Sequence, residues 1–155
     1  MKRTTIIETI IFLYAVLFSY TGISKLTTYD ETKDGLAEFH LLKPIAPVIA
    51  FTLPWIEFAI VIMMIIPRWR LKGFYSATGI MTAFTIYIIG LLSFTDKLPC
   101  SCGGVIGKLS WPQHVVLNLV FIAMALTGIY LERLQKKNII KDLSTIGQIN
   151  QAPGI

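Results

Sequence analysis

Four apolar runs, each near the length that crosses a bilayer, set the limits on what this chain can fold into. They cover about Thr4 to Leu26, Pro47 to Ile66, Gly73 to Phe94 and Trp111 to Leu131. Roughly 20 apolar residues, rising about 1.5 Å each, span a hydrocarbon core of about 30 Å. A backbone in lipid must satisfy its own N–H and C=O groups, so each run is predicted to be a helix. Composition agrees: 15% of the 155 residues are charged and 54% are hydrophobic, where a soluble domain carries about 25% charged residues. The expected fold class is all-α, an integral membrane four-helix bundle. Residues 1–131 would form the membrane domain and 132–155 a polar cytoplasmic tail that frays.

Lys2 and Arg3 precede the first run, as they would in a secretory signal. The run is longer than the roughly 7–15-residue core of such peptides and no A-x-A site follows, so an uncleaved helix is expected. The net charge of +5 does not point to nucleic acid, because the basic residues sit between apolar runs. The expected partner is the lipid bilayer.

Those basic residues also orient the chain. With four spans, Lys2, Arg3, Arg68, Arg70, Lys72, Arg133, Lys136, Lys137 and Lys141 fall on one side, and Lys25, Lys33, Lys43, Lys97 and Lys108 on the other. The excess of nine over five puts both termini in the cytoplasm by the positive-inside rule. The expected location is the cytoplasmic (inner) membrane, with the two longer loops facing outward.

Three loops connect the runs. In the first, Leu36, Phe39 and Leu42 recur at i, i+3 and i+6, which predicts a short amphipathic helix on the membrane surface. Pro44 and Pro47 would end it and begin the second span. The second loop, "PRWRLKG", reads as a tight basic hairpin with Trp69 at interfacial depth. The third holds both cysteines, in "LPCSCGGVIGKLSWPQH". Its glycines Gly103, Gly104 and Gly107 free the backbone, and Ser110 and Pro112 suit a helix start.

Cys100 and Cys102 would lie in the compartment where disulfides persist. Their single-residue spacing allows a bond, but a strained one that is readily reduced. As a structural crosslink it would do little, since a short loop loses little entropy on closure. The alternatives are two reduced structural thiols, or half of a metal site that two thiols cannot complete. No metal is expected, and a redox-active pair is the leading reading.

Position supports it. The pair precedes the amino end of the fourth helix, whose free N–H groups favour a thiolate. His114, one turn inside, could tune that thiolate or relay its proton. Asn118 at i+4 and Trp111 at i−3 share its face. The plainer role for His114 and Asn118 is hydrogen bonding between helices.

Glu57 lies near the middle of the second run, where a bare charge costs at least about 2.5–3.5 kcal/mol. It must be paired, protonated or hydrated. Pro54, three residues earlier, would kink the helix and free a carbonyl. Lys25, in "YTGISKL", is the obvious partner, its plainer role being a lysine that snorkels to the interface. Glu8 reads as interfacial and His40 as a surface residue of the first outer loop.

Three short motifs in order on four spans, "YTGISKL", "LPWIE" and "PCSCGG", resemble the MauE/DoxX-like membrane proteins, most closely the MauE-type (methylamine utilisation) branch. The resemblance runs from about Arg3 to Leu131. It implies a four-helix membrane protein associated with thiol–disulfide chemistry, since MauE is linked to maturation of a disulfide-rich dehydrogenase subunit alongside a thioredoxin-like partner. The family's cysteine motif, first-helix lysine and second-helix glutamate fall on Cys100 and Cys102, Lys25 and Glu57. Many relatives continue as "CGCFG", whereas this chain reads "CSCGG".

The expected function is membrane thiol–disulfide exchange with an extracytoplasmic thioredoxin-like protein, supporting maturation of secreted or periplasmic proteins. Catalytic roles would fall to Cys100, Cys102 and His114, and supporting roles to Glu57, Lys25, Asn118 and Trp111. No cofactor fingerprint is evident in the sequence, although a quinone between the helices would be a natural electron carrier. A homo- or hetero-oligomer would suit so small a bundle. The alternatives are a non-catalytic scaffold for a redox partner or, less well supported, a small-solute or metal-ion transporter.

Overall fold

The computed structural model describes residues 2–38, 42–94 and 111–149. Among them the chain is helical, with five α-helices: α1 (Lys2–Thr27), α2 (Tyr29–Glu38), α3 (Ala46–Ile65), α4 (Arg70–Phe94) and α5 (Trp111–Ile149). Four of these, α1, α3, α4 and α5, are long and apolar enough to cross a membrane. The protein is a multi-pass membrane protein.

The four long helices close into a ring in which α1 packs on α3, α3 on α4, α4 on α5 and α5 back on α1. The chain runs up and down through them, giving the bundle two dissimilar ends. One end holds the chain's amino terminus and the four-residue connection between α3 and α4. The other holds α2, the last turn of α4 and the first turn of α5. Outward faces carry large apolar side chains such as Phe12, Val48, Phe51 and Ile86, each about three-fifths exposed, as a lipid solvent requires. Hydroxyls on these helices turn back on their own turns: Thr52 donates to the Val48 carbonyl at 2.8 Å, Thr78 to Phe74 at 2.9 Å and Thr127 to Ala123 at 2.9 Å. No donor is left facing lipid at those positions.

The packed core lies toward the amino-terminal end. Tyr14 is fully buried, meets Phe18 and Phe121 edge-on with ring centroids 5.4 and 5.2 Å apart, and donates its hydroxyl to the Phe121 carbonyl at 2.6 Å. Gly128 lets α5 approach α4, since a Cβ there would sit 2.5 Å from the buried Phe74 ring. Without a hydrophobic force between helices in lipid, such close contact supplies the association.

Two segments differ from expectation. The short helix of the first loop runs over Tyr29–Glu38, earlier than the Leu36–Phe39–Leu42 pattern suggested. One residue, Thr28, separates it from α1, and the backbone bonds Thr28 N–H to Ser24 and Thr32 N–H to Thr28 carry the chain across at 2.9 and 3.0 Å. Asp30 and Glu31 in its first turn favour a start there. Its buried residues, Thr32 and Gly35, face the bundle, and the Tyr87 hydroxyl donates to the Gly35 carbonyl at 2.7 Å. The helix is tied down onto the bundle. Pro44 sits in a 3-10 turn, Lys43–Ile45, and Pro47 in the first turn of α3, where a missing N–H does no harm.

The second difference is α5, which continues through the polar tail to Ile149. Between Glu132 and Ser144 there is neither Gly nor Pro, and Leu, Arg, Gln and Lys are strong helix formers. Polarity removes the tail from lipid without unwinding it.

Candidate functional site

The site is at the end that carries α2. Glu57 on α3 is 5% exposed, despite its charge. Lys25, in the last turn of α1, donates to its Oε1 at 2.7 Å, and the Thr21 hydroxyl donates to Oε2 at 3.2 Å. Thr21 and Lys25 are one turn apart and share a face. Lys25 therefore reaches into the bundle, its side chain 18% exposed. Between them, an ammonium and a hydroxyl meet both oxygens of a carboxylate that could not stay in this position bare. Gly22 gives α3 room: a Cβ there would lie 3.0 Å from the Phe58 ring and 3.4 Å from Glu57 Oε2.

This ion pair is in the wall of a cavity of about 270 Å³ between the four long helices and α2. Its walls are mainly apolar, with Leu17, Leu53, Ile80 and Leu117 among them. Phe18 and Met81 line it and also belong to the packed core, so they form the boundary between the two. Leu36 and Leu42 line it from the first loop. Two of the three apolar residues that predicted a surface helix, Leu36 and Leu42, thus line the cavity, and Phe39 lies outside the described residues.

His114 and Asn118 line the same cavity from α5. His114 is half-buried. Asn118 is 5% exposed, and its side-chain amide nitrogen has no hydrogen-bond partner among the described residues. The structure therefore gathers Lys25, Glu57, His114 and Asn118 around one space. Cys100, Cys102 and His40 lie outside the described residues, as do Gly103, Gly104, Gly107 and Ser110. Trp111 begins α5, but its side chain is not among those described. Among the described residues no three His, Cys, Asp or Glu side chains are grouped to hold a metal ion.

Thr21 and Tyr87 are additions to the site. Thr21 could have been found from its i−4 spacing to Lys25 on a helix. Tyr87 gives no such signal, since its partner is a backbone carbonyl 52 positions away.

The curated proteins and the solved structures yield no match to this chain. A family model does match, that of methylamine utilisation protein MauE, over residues 3–131, a stretch that takes in the first three spans, most of the fourth and every residue of the site. The chain belongs to the MauE family.

Proposed function

We propose that this protein is a membrane thiol–disulfide exchange protein whose Cys100–Cys102 pair works with an extracytoplasmic thioredoxin-like partner, in support of the maturation of secreted or periplasmic proteins. The observation that carries this reading is the polar group of Lys25, Glu57, His114 and Asn118 gathered at one end of the bundle. It is the end at which α4 closes and α5 opens, and the intervening segment contains both thiols. Membership of the MauE family adds support. The nine-to-five charge asymmetry supports an inner-membrane orientation with this end outward.

In the exchange, one thiolate of the pair attacks a sulfur of the partner's disulfide, forms a mixed disulfide and expels the partner's other thiolate. The second cysteine then attacks the mixed disulfide and closes the Cys100–Cys102 bond. Two electrons and two protons pass to the partner, and the reverse sequence returns them. His114, one turn inside α5, serves as the nearby base, and the Lys25–Glu57 pair fixes α1 against α3.

The test uses Cys100→Ser and Cys102→Ser in the full-length protein in native membranes, with thiols trapped by acid and maleimide. The expected result is a mixed disulfide with a thioredoxin-fold protein that accumulates in one variant and is absent from the double variant. Undiminished maturation of secreted disulfide proteins in both variants, with no trapped species, would leave a non-catalytic scaffold instead.

A further inference from the structure

The amino-terminal end of the bundle carries charge on its outside that no described ion pair uses. Helices α4 and α5 pack on each other and run in opposite directions. Where their apolar stretches end, the Arg133 guanidinium donates to the Tyr75 hydroxyl and lies 5.5 Å from the centroid of its ring. From that contact, one turn back along α4 leads to Lys72 and one turn on along α5 leads to Lys137. Each step is about 5 Å, and because the helices are antiparallel both lead away from the bilayer centre. Lys72 and Lys137 therefore stand level with each other on neighbouring helices.

All three cations are exposed. Among the described residues none of them has a carboxylate partner. Glu132, beside Arg133 in sequence, is buried instead, with Arg70 Nη1 at 4.0 Å. Arg70 is itself occupied, its Nε donating to the Met64 carbonyl at 3.4 Å. Like charges gathered in this way repel one another until an anion joins them. The first turn of α4, which holds Lys72, adds the positive end of a helix dipole.

Depth narrows the class of anion. Tyr75 and Tyr130 are exposed on α4 and α5, at the level where tyrosines meet lipid headgroups. One turn deeper the outward strip is apolar. On α4 it holds Gly79, where a Cβ would meet nothing within 4 Å, and on α5 the exposed Leu126. A small soluble anion has no use for that strip, whereas an acyl chain does.

We propose that the furrow between α4 and α5 at this end binds an anionic phospholipid, its phosphodiester on Arg133, Lys72 and Lys137 and one acyl chain over Gly79. Arg133 is the central ligand, because Tyr75 fixes its planar fork while N–H donors remain for phosphate oxygens. A zwitterionic phospholipid brings its own ammonium among the cations and fits less well. The inference does not depend on the exchange reaction.

The experiment titrates the full-length protein in neutral detergent with dioleoylphosphatidylglycerol and counts bound lipid by native mass spectrometry. Saturable binding is expected, with phosphatidylcholine a poor competitor. Arg133→Gln, Lys72→Gln and Lys137→Gln should each weaken it about fivefold, and Arg133→Lys should recover part of the loss. Lys136→Gln is the control: it removes an exposed cation next to Lys137 but about 100° around the helix, and should leave binding nearly unchanged. Gly79→Leu, which fills open space, should weaken dioleoylphosphatidylglycerol but not the short-chain dihexanoyl lipid. The substituted side chains are exposed, so the unfolding midpoint without lipid should stay close to the parent's. Equal weakening by Lys136→Gln would show diffuse attraction to a basic rim and overturn the inference. Phosphatidylcholine or inorganic phosphate displacing the lipid at equal concentration would also overturn it.

Discussion

Among the described residues each end of the bundle buries one carboxylate, and the two are handled differently. At the end that carries α2, Glu57 is met on both oxygens, by Lys25 at 2.7 Å and Thr21 at 3.2 Å, and a cavity stands beside it. At the amino-terminal end, Glu132 is equally buried, but its nearest cation, Arg70 Nη1, is 4.0 Å from an oxygen that has no hydrogen bond. There the side chains close on one another around Tyr14, Phe74 and Gly128. A surface-accessible bridge contributes little, whereas a buried carboxylate without a partner is expensive. At the α2 end a tight pair stands beside open space. The loose pair within dense packing marks the end built to hold the helices.

The largest effect should come from separating the tight pair. Lys25→Met strands Glu57 and should lower stability by about 3–5 kcal/mol, measured as an unfolding midpoint in detergent or lipid, whereas Lys25→Met with Glu57→Met should recover most of it. If the single variant unfolds like the parent, the pair does not hold the helices. At the packed end, Gly128→Val drives a side chain into the Phe74 ring and should cost about 1–3 kcal/mol. Gly79→Ala on α4, where a Cβ meets nothing within 4 Å, should instead gain about 0.5–1 kcal/mol through helix propensity. Equal losses at both glycines would mean that close approach is not what holds α4 to α5. Tyr14→Phe keeps the aromatic cluster and removes one hydrogen bond, for about 1 kcal/mol. The smallest effect is expected at the exposed Lys33–Asp30 pair. The hydrogen bond and charge of Asp30 hold the Lys33 ammonium above its ordinary value of 10.5. Any stability it adds is present below that value and lost as the solution becomes strongly alkaline, but a solvent-exposed pair adds little at any pH, so Asp30→Asn should leave the midpoint nearly unchanged at neutral pH.

The sequence makes the spans legible because hydropathy acts residue by residue: α3 and α4 end within a few residues of the runs that predicted them. Glu57 was legible for a related reason, since a charge amid apolar neighbours demands a partner and Lys25 was the cation within reach. The cavity was not. It depends on how far apart four helices stand, and nothing in Leu53 or Ile80 says which side faces a gap. Asn118 illustrates the boundary well: its i+4 spacing from His114 gives the shared face, but only the packed bundle shows it buried beside the cavity with its amide nitrogen unpartnered among the described residues. Helix α2 starts where Asp30 and Glu31 supply acidic residues to its first turn, a signal that the apolar spacing of Leu36, Phe39 and Leu42 obscures. Polarity alone hides the helix in the tail, because residues that leave lipid can still be good helix formers.

The length of α5 has a geometric consequence. Thirty-nine residues at about 1.5 Å each make a rod of about 58 Å, nearly twice the hydrocarbon thickness of about 30 Å. Lys136, on the stretch that extends past the membrane, lies 18 residues beyond Asn118, five whole turns at about 3.6 residues per turn. The two side chains leave the rod in the same direction. The face that carries Asn118 into the bundle is therefore continued, past the apolar stretch, by the face that carries Lys136.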